Sequence, residues 1–560
     1  MRTQHRITTD ATSRVTITLA AALACLAPPA ATGQHTTLGH DPARTSNTRG
    51  TLDTGPSDLT TPLWVFPDSD PSVAGPIEWA RDAGTAVSDG LVLAVSKQDA
   101  AGNPARLWAI TRGSGQLAWS AELPDLVQDS WATPTIDRRN NTVLYAGGRA
   151  GAPGGVVQAR RLSDGTLLWQ TQLDKDVVNA SVAVTTDLGP RDRAFITDFE
   201  GFFAGGDGGV LYCINVDPFN DGRGQDGRPV NNPYAPGEIV WSVPLMSGAS
   251  GATPAYADKR VYVATAGDFD NAIGGSILAF DATAATAQDA ELWRTDVGGD
   301  DGFFGGLAVA DGAVYAATFD FFGGRNASRI VKADANDGSI LWTAPADRTN
   351  AIPVPFGDDR VLLATGLGGF GTVPSVQIFR DDANAASLVA DAAVDTWQDN
   401  GNGFIEPGEF DVLGGWTQHP HIVNDHPATG GPAAFVGSLD IASAGQLFPG
   451  YDRISLIDLT MPFDDPASIV TSFDGAGSSP AVVQRSLYTV GAAGVHAFGE
   501  PFLIDVNDDG RADIEDLYAW HAGAPDRDVN RDGVVDQTDA DALEAELRRH
   551  EREDMIGGRR

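Results

Sequence analysis

Gly115-Gln-Leu-Ala-Trp119 is one of four segments in which a glycine stands four residues before a tryptophan. The other three are Gly165-Thr-Leu-Leu-Trp169, Gly237-Glu-Ile-Val-Trp241 and Gly338-Ser-Ile-Leu-Trp342. Glycine at that place is typical of a tight turn, because it adopts left-handed backbone angles without steric cost. We interpret the tryptophan as the end of the strand that follows the turn.

Tryptophan also marks a longer repeat through most of the chain. Seven tryptophans recur at intervals of 49 to 72 residues, namely Trp64, Trp119, Trp169, Trp241, Trp293, Trp342 and Trp397. Intervals of this size are typical of propeller blades. Further apolar runs precede the turns, such as residues 156–162 and 261–265, so each unit is expected to hold four short antiparallel strands. The sequence therefore predicts a mainly β fold, with a β-propeller over residues 62–499.

The number of blades follows from the same repeats. Eight units can be counted, and eight blades are preferred. The units at residues 353–397 and 433–471 are degenerate, so seven blades remain an alternative.

The charge of the chain narrows the classes of partner. The formal net charge is −37, from 75 acidic and 38 basic residues. A surface this acidic repels nucleic acid and anionic membranes. We therefore expect no nucleic-acid partner.

The first 33 residues have the pattern of a secretion signal. Three arginines precede an apolar run at residues 15–26, and Ala31-Thr32-Gly33 offers small residues for cleavage. The mature chain would begin with a lead segment at residues 34–61. Lipid attachment at Cys25 is an alternative. No later apolar run approaches the roughly 20 residues needed to span a bilayer. These features predict no transmembrane segment in the mature chain, which would be secreted, periplasmic or on the cell surface.

Two calcium loops of the EF-hand type are predicted within residues 500–560. The ligands of the first loop are Asp505, Asn507, Asp509, the Arg511 carbonyl, Asp513 and Asp516. Those of the second loop are Asp528, Asn530, Asp532, the Val534 carbonyl, Asp536 and Asp539. In both loops a glycine stands at the sharp turn, and oxygen ligands stand at positions 1, 3, 5, 7, 9 and 12. The pattern occurs twice at an offset of 23 residues, which predicts two bound calcium ions.

The propeller repeat resembles that of the pyrroloquinoline-quinone-type β-propellers. Gly39-His-Asp-Pro-Ala-Arg-Thr45, followed by Pro62-Leu-Trp-Val-Phe66, is similar to the start of such propellers. In that family an N-terminal strand often completes the last blade, so the resemblance implies that residues 63–66 pair with residues 494–498. This pairing would close the ring and remove its exposed strand edges. The resemblance implies either a quinone-dependent dehydrogenase or a binding platform such as the outer-membrane barrel-assembly lipoprotein. The dehydrogenases of this kind typically carry two adjacent cysteines, and this sequence has no such pair. Pyrroloquinoline quinone is therefore not the expected cofactor.

The calcium segment resembles dockerin modules, because aspartate stands at position 12 of each loop, the apolar stretch Leu517-Tyr-Ala-Trp520 follows the first loop, and a helix is expected near residues 540–550 without an entering helix. The resemblance implies a cohesin-like partner that docks through loop positions 10 and 11. Those positions hold Ile514-Glu515 and Gln537-Thr538, unlike the Ser-Thr pair of cellulosomal members. Calcium binding is predicted more firmly than cohesin binding.

Other candidate sites in the propeller are weaker. His419, His421, Asp425 and His426 form a possible metal cluster, since alternate spacing would place two imidazoles on one side of a strand. The favoured interpretation of these residues is a solvated loop or the start of a strand. Residues 395–409 resemble a degenerate calcium loop, in which Gln398 stands at the first position, where a carboxylate is expected. Neither Gly-x-Ser-x-Gly nor His-Glu-x-x-His occurs, and no catalytic residue is predicted.

Together these patterns favour a secreted calcium-binding protein. Its propeller is expected to be a non-catalytic platform for a protein or glycan, with a dockerin-like attachment module. The alternative is an extracellular enzyme, either a quinoprotein oxidoreductase or a component of polysaccharide degradation.

Overall fold

The computed structural model describes most of the chain between residues 35 and 548. The described ranges are 35–48, 54–73, 75–88, 90–124, 131–148, 154–177, 179–188, 191–198, 208–217, 232–245, 252–267, 274–298, 301–320, 322–357, 359–368, 371–441, 450–499 and parts of 506–548. The predicted signal at residues 1–33 lies outside them. Among the described residues, no helix is long and apolar enough to cross a bilayer.

Short strands account for nearly all of the regular structure. In chain order they are β1 (Asn47–Thr48), β2 (Trp64–Phe66), β3 (Ala86–Ser88), β4 (Leu91–Ser96), β5 (Arg106–Thr111), β6 (Leu117–Glu122), β7 (Thr135–Asp137), β8 (Thr142–Gly147), β9 (Val156–Arg161), β10 (Leu167–Gln172), β11 (Ala183–Val184), β12 (Arg193–Thr197), β13 (Val210–Asn215), β14 (Ile239–Pro244), β15 (Ala255–Ala257), β16 (Arg260–Ala264), β17 (Ser276–Asp281), β18 (Glu291–Asp296), β19 (Leu307–Ala310), β20 (Ala313–Ala317), β21 (Ser328–Asp334), β22 (Ile340–Ala346), β23 (Val354–Phe356), β24 (Arg360–Thr365), β25 (Ser375–Asp382), β26 (Ala385–Asp391), β27 (His421–His426), β28 (Gly431–Leu439), β29 (Tyr451–Asp458), β30 (Ile469–Asp474), β31 (Ala481–Val483), β32 (Ser486–Val490) and β33 (Val495–Gly499). The helices are α1 (Ala392–Asp395) and α2 (Ile514–Ala522), and 3₁₀ turns lie at Ala287–Asp289 and Pro466–Ser468.

The strands form eight sheets, one for each blade of a propeller. Blades 1 to 6 are β3–β6, β7–β10, β11–β14, β15–β18, β19–β22 and β23–β26. Blade 7 is β27–β30 with β1 added in parallel beside β27, and blade 8 is β31–β33 with β2. The prediction of eight four-stranded blades is confirmed, and the two degenerate units are blades 6 and 7.

The first strand of the ring completes its last blade, as predicted. β2 pairs antiparallel with β33 in the register Trp64 to Ala497, Val65 to His496 and Phe66 to Val495. This contact joins residues from opposite ends of the propeller sequence. The ring is therefore closed by backbone hydrogen bonds.

The structure confirms the glycine turn of the Gly-x-x-x-Trp pattern but not the expected role of the tryptophan. Trp119 lies inside β6 and does not end it. A Cβ atom on Gly165 would come within 2.5 Å of the Trp119 ring in the preceding blade. Gly237 stands in the same relation to Trp169, at 2.7 Å. The glycine thus admits the indole of the neighbouring blade, as well as supplying a positive φ of 71° at Gly165.

The hydrophobic core lies mainly between adjacent blades. Trp119, for example, packs in one buried cluster with Leu107 of blade 1 and Tyr145 of blade 2. Its indole nitrogen donates to the Leu162 carbonyl at 2.8 Å. Trp119 therefore buries a large apolar surface and satisfies its one polar atom, whereas the indole nitrogen of Trp169 is buried without a hydrogen bond among the described residues.

The C-terminal region holds a small helical core of its own. α2 and the helical residues 537–544 contribute Trp520, Ala540 and Leu543 to a cluster with Val506 and Val529. The Trp520 indole donates to the Arg527 carbonyl at 2.7 Å. A cluster this small supplies little hydrophobic stabilisation.

Candidate functional site: the central channel

The segment of residues 35–48, here called the plug, lies against the innermost strands of the blades. His35 forms an antiparallel bridge with Val87 of blade 1. Further along the plug, Tyr256 donates its N–H to the Pro42 carbonyl at 2.7 Å, and Val309 donates to the Ala43 carbonyl at 2.9 Å. The plug ends in β1, which joins blade 7. The chain therefore fills part of its own channel.

Arg44 anchors the plug to blades 3 and 4. Its side chain is fully buried. The guanidinium donates to the carbonyls of Pro254 at 3.1 Å, Val182 at 2.9 Å and Leu38 at 2.7 Å, and to the Thr37 hydroxyl. Burial lowers the pKa of Arg44 to about 9, which the carboxylate of Asp41 partly opposes. Four acceptors thus hold a buried cation in place.

A belt of hydrogen bonds links the blades where their inner strands begin. In each link, a backbone N–H of one blade donates to a side-chain hydroxyl of the next blade. The N–H of Gly84 donates to Thr133 at 2.9 Å, that of Thr133 to Ser181 at 2.9 Å, and that of Ser181 to Thr253 at 3.0 Å. The belt continues through His419, which accepts from Ile352 on Nδ1 at 3.0 Å and donates its N–H to Ser479 at 2.9 Å. These bonds satisfy backbone groups that no sheet pairs and tie each blade to the next.

The belt surrounds a cleft with about 370 Å³ of empty space, part of it open to solvent. Its lining comprises Leu38, Asp82, Trp131, Thr133, Asn179, Thr253, Gly305, Gly306, Asn350, Thr417 and His419. Leu38 belongs to the plug, so the plug forms one wall of the cleft.

The cleft combines an aromatic face with polar groups. The Trp131 ring stands edge-on to the Trp416 ring, with the two centroids 6.0 Å apart. The Lys97 ammonium lies 5.3 Å from the centroid of the Trp131 ring. Lys97 also pairs with Asp82 at 3.9 Å. The buried Asn350 side-chain oxygen makes no hydrogen bond among the described residues. Such a mixture fits a polar ligand that also offers an apolar face.

Three histidines form a second feature of the channel. His35 and His40 of the plug meet His421 of β27, with ring centroids 5.3 to 5.6 Å apart. Their ligand atoms all lie within 4.8 Å of one another. Burial is the main cause that holds the pKa of His35 and of His421 well below the usual value. All three rings are buried.

The structure separates the histidines that the sequence grouped. His419 lies at the cleft, His421 lies in the three-histidine cluster, and the His426 ring packs against Phe435, 5.9 Å away. The histidines therefore do not form the metal cluster considered from their spacing, and His421 begins β27, in line with the strand-start interpretation. Among the described residues, His421 instead joins His35 and His40. His35 and His40 were not predicted as ligands, because their partner lies far away in the sequence.

The possible calcium loop at residues 395–409 directs its carboxylates to its own backbone. Asp399 Oδ1 accepts the N–H groups of Gly401 at 2.7 Å and Gly403 at 3.1 Å. Glu409 accepts from the Trp397 indole at 3.2 Å. Calcium binding at this loop remains a prediction.

Most of the predicted C-terminal calcium ligands lie outside the described residues, namely Asp505, Asn507, Asp509, Arg511, Asp513, Asp528, Asn530, Asp532, Val534 and Asp536. The two described ligands are Asp516 and Asp539, at position 12 of each loop, and both are buried. Asp516 accepts the Val506 N–H at 2.7 Å. Calcium binding by the two loops stays a prediction.

One sequence family matches part of the propeller. Residues 273–402 match the family described as outer membrane protein assembly factor BamB. This match covers less than a quarter of the chain. Among curated protein sequences, none matches the chain.

Solved structures share the propeller fold. Quinohemoprotein alcohol dehydrogenase ADHIIG from Pseudomonas putida HK5 matches with a TM-score of 0.50 and 10% identity, over 84% of this chain and 80% of that one. BamB from Moraxella catarrhalis matches with a TM-score of 0.46 and 15% identity, over 76% of this chain and 95% of that one. Identities this low concern the fold alone.

Proposed function

We propose that the protein is a secreted, non-catalytic propeller that binds a glycan at its channel cleft. A dockerin-like calcium module would attach it to a cohesin-like or other extracellular protein. The observation that carries this proposal is the plug. An enzyme of the quinone type needs an enclosed site for a large cofactor, whereas this chain occupies part of its own channel and leaves a cleft beside the plug.

The chemistry of the cleft supports a sugar as the ligand. The partly buried ring of Trp131 offers a face for sugar C–H groups, and the amides of Asn179 and Asn350 offer donors and acceptors for hydroxyls. The Asn350 side-chain oxygen, which has no partner among the described residues, would accept a ligand hydroxyl. A protein segment is the other possible occupant.

The proposal is tested by binding neutral and acidic polysaccharides and oligosaccharides to the full-length protein with calcium present. Affinity electrophoresis and tryptophan fluorescence report binding. Trp131→Ala should weaken binding at least about tenfold, since aromatic contacts dominate such sites. Trp397→Ala is the matched control, because Trp397 lies on the loop at residues 395–409 and does not line the cleft. Equal loss in both variants, or no binding by the wild type, would reject the glycan site.

The enzymatic alternative rests on Trp131 and Asp82, which place an indole and a carboxylate in the same cleft. The protein is incubated with pyrroloquinoline quinone and calcium and assayed with a redox dye and alcohols or sugars. Release of reducing ends from polysaccharides is measured in parallel. Activity that Asp82→Asn removes would favour the enzyme over the platform.

A further inference from the structure

We propose that His35, His40 and His421 bind one transition-metal ion of the zinc class, which fastens the plug to blade 7. This site is independent of the proposed glycan cleft and of the predicted calcium loops. Two of its ligands come from the lead segment and the third from β27.

The arrangement of the rings is close to that of a three-histidine metal site. The three centroid distances are 5.3, 5.6 and 5.4 Å, so the rings form a nearly equilateral triangle. Zinc–nitrogen bonds of about 2.0 Å in tetrahedral geometry require ligand nitrogens about 3.3 Å apart. The present nitrogens lie within 4.8 Å of one another. Rotations of the imidazole rings can supply the remaining approach.

The ring nitrogens also lack other partners. Nδ1 of His35, Nδ1 of His40 and both ring nitrogens of His421 are buried without a hydrogen bond among the described residues. A neutral imidazole carries one N–H and one lone pair, so His421 leaves a donor and an acceptor unsatisfied. Three such side chains in one place are unusual, because buried polar groups nearly always have partners. A metal ion would satisfy one lone pair on each ring.

Arg44 lies close enough to His35 for its positive charge to act on the cluster. The same charge opposes a divalent ion, and an anionic fourth ligand from solvent would offset it.

The donor set selects the class of ion. Three imidazoles suit zinc, copper, nickel or cobalt, whereas calcium and magnesium prefer oxygen ligands. The site is thus chemically distinct from the predicted calcium loops, and the two can be loaded separately.

The bound ion would link parts of the chain that are distant in sequence. His40 has a positive φ of 75°, a conformation that a non-glycine residue adopts only when its surroundings hold it there. His421 is the first residue of β27, and β1, at the C-terminal end of the plug, pairs with β27. Metal binding would therefore hold the plug in the channel and stabilise the ring at blade 7.

The test uses full-length protein carrying no polyhistidine tag and kept in millimolar calcium, so that the C-terminal loops do not take up the probe ion. Zinc is added, excess is removed, and metal content is measured by mass spectrometry of the elements. We expect one zinc per chain. Cobalt should give the strong visible absorption of a tetrahedral site, which carboxylate loops do not produce.

Two variants identify the ligands. His421→Gln and His40→Gln should each lower zinc affinity at least about 100-fold, since removal of groups that merely orient a metal ligand already costs 10- to 100-fold. His426→Gln is the matched control, because it replaces another buried imidazole of the same strand outside the cluster. It should retain the zinc.

Several results would overturn the proposal. A folded wild type that binds no zinc, cobalt, nickel or copper at micromolar concentration would do so, and this measurement needs no variant. The proposal would also be overturned if His40→Gln and His421→Gln retained the zinc, or if His426→Gln lost as much zinc as they do.

Discussion

Arg44→Met is the substitution that tests most directly whether the plug stabilises the propeller. Methionine replaces the aliphatic part of the side chain but removes every donor. The carbonyls of Leu38 and Pro254 then lose the Arg44 guanidinium as a donor, whereas the Val182 carbonyl keeps the Thr135 hydroxyl at 2.8 Å. Each buried acceptor left unpaired costs about 1–3 kcal/mol, and removal of the buried charge returns part of that sum. We expect a net loss of about 3 kcal/mol in the free energy of unfolding.

The assay is urea unfolding followed by tryptophan fluorescence, because eleven of the twelve tryptophans precede the C-terminal region. Limited proteolysis with N-terminal sequencing provides a second measurement, since a released plug exposes cleavage sites before residue 54. Arg106→Met is the control. Arg106 pairs with Glu122 at 3.0 Å on the surface, and such pairs contribute about 0–1 kcal/mol.

The reasoning would be refuted if Arg44→Met unfolded within about 0.5 kcal/mol of the wild type, the range of ordinary surface substitutions. Unchanged proteolysis would agree with that result. The plug would then be a passive filling of the channel, and its support for the platform function would weaken.

Three further predictions concern the remaining parts of the chain. Burial and the charge of Asp137 raise the pKa of Asp192 to about 7, so the folded state binds its proton more tightly than the unfolded state. Through this group, stability should fall as pH rises from about 4 to about 7. Asp192→Asn should reduce this slope, while Asp137, whose pKa burial raises to about 6, keeps a slope of its own. The variant should gain at most about 4 kcal/mol at pH 8 in urea unfolding, less the loss of the Arg139 ion pair at 3.4 Å; a parallel pH profile in the variant would contradict the assignment. Gly165→Ala places a methyl group against the Trp119 ring and strains a positive φ, so the melting temperature should drop. Gly312→Ala is the control, because Gly312 has a similar φ but open space around it, and this variant should lower the melting temperature less. Equal losses in both variants would count against packing between blades. Removal of calcium should abolish the helical circular dichroism of residues 500–560 while the strand signal persists, because clustered carboxylates repel one another without the ion; an unchanged spectrum would sink the prediction.

The repeat pattern predicted the propeller because it is local. Glycine turns, alternating strands and tryptophans at regular intervals are visible in a single sequence, whereas closure by residues 63–66 was implied by the family resemblance. The role of Trp119 was misread, since its ring contacts a glycine of the next blade and nothing in the strand itself shows this.

The channel could not be predicted in the same way. His35, His40 and His421 come together only when the plug enters the ring, and their separation in sequence hides the cluster. The alternation at His419 and His421 suggested a shared face, but each ring has a different neighbour in the fold. Arg44 belonged to a motif that suggested the start of a propeller, yet its burial depends on carbonyls from two distant blades.

The pairing of β2 with β33 has a consequence for how the protein acquires its structure. β2 leaves the ribosome before blade 1, but its partner is the last strand of the ring. Blades 1 to 7 can form from local contacts, whereas this contact must wait for the whole propeller sequence. Until then β2, which contains Trp64 and Phe66, has no partner strand, and other chains can pair with it. A premature stop before residue 495 should therefore yield aggregation rather than a smaller stable propeller.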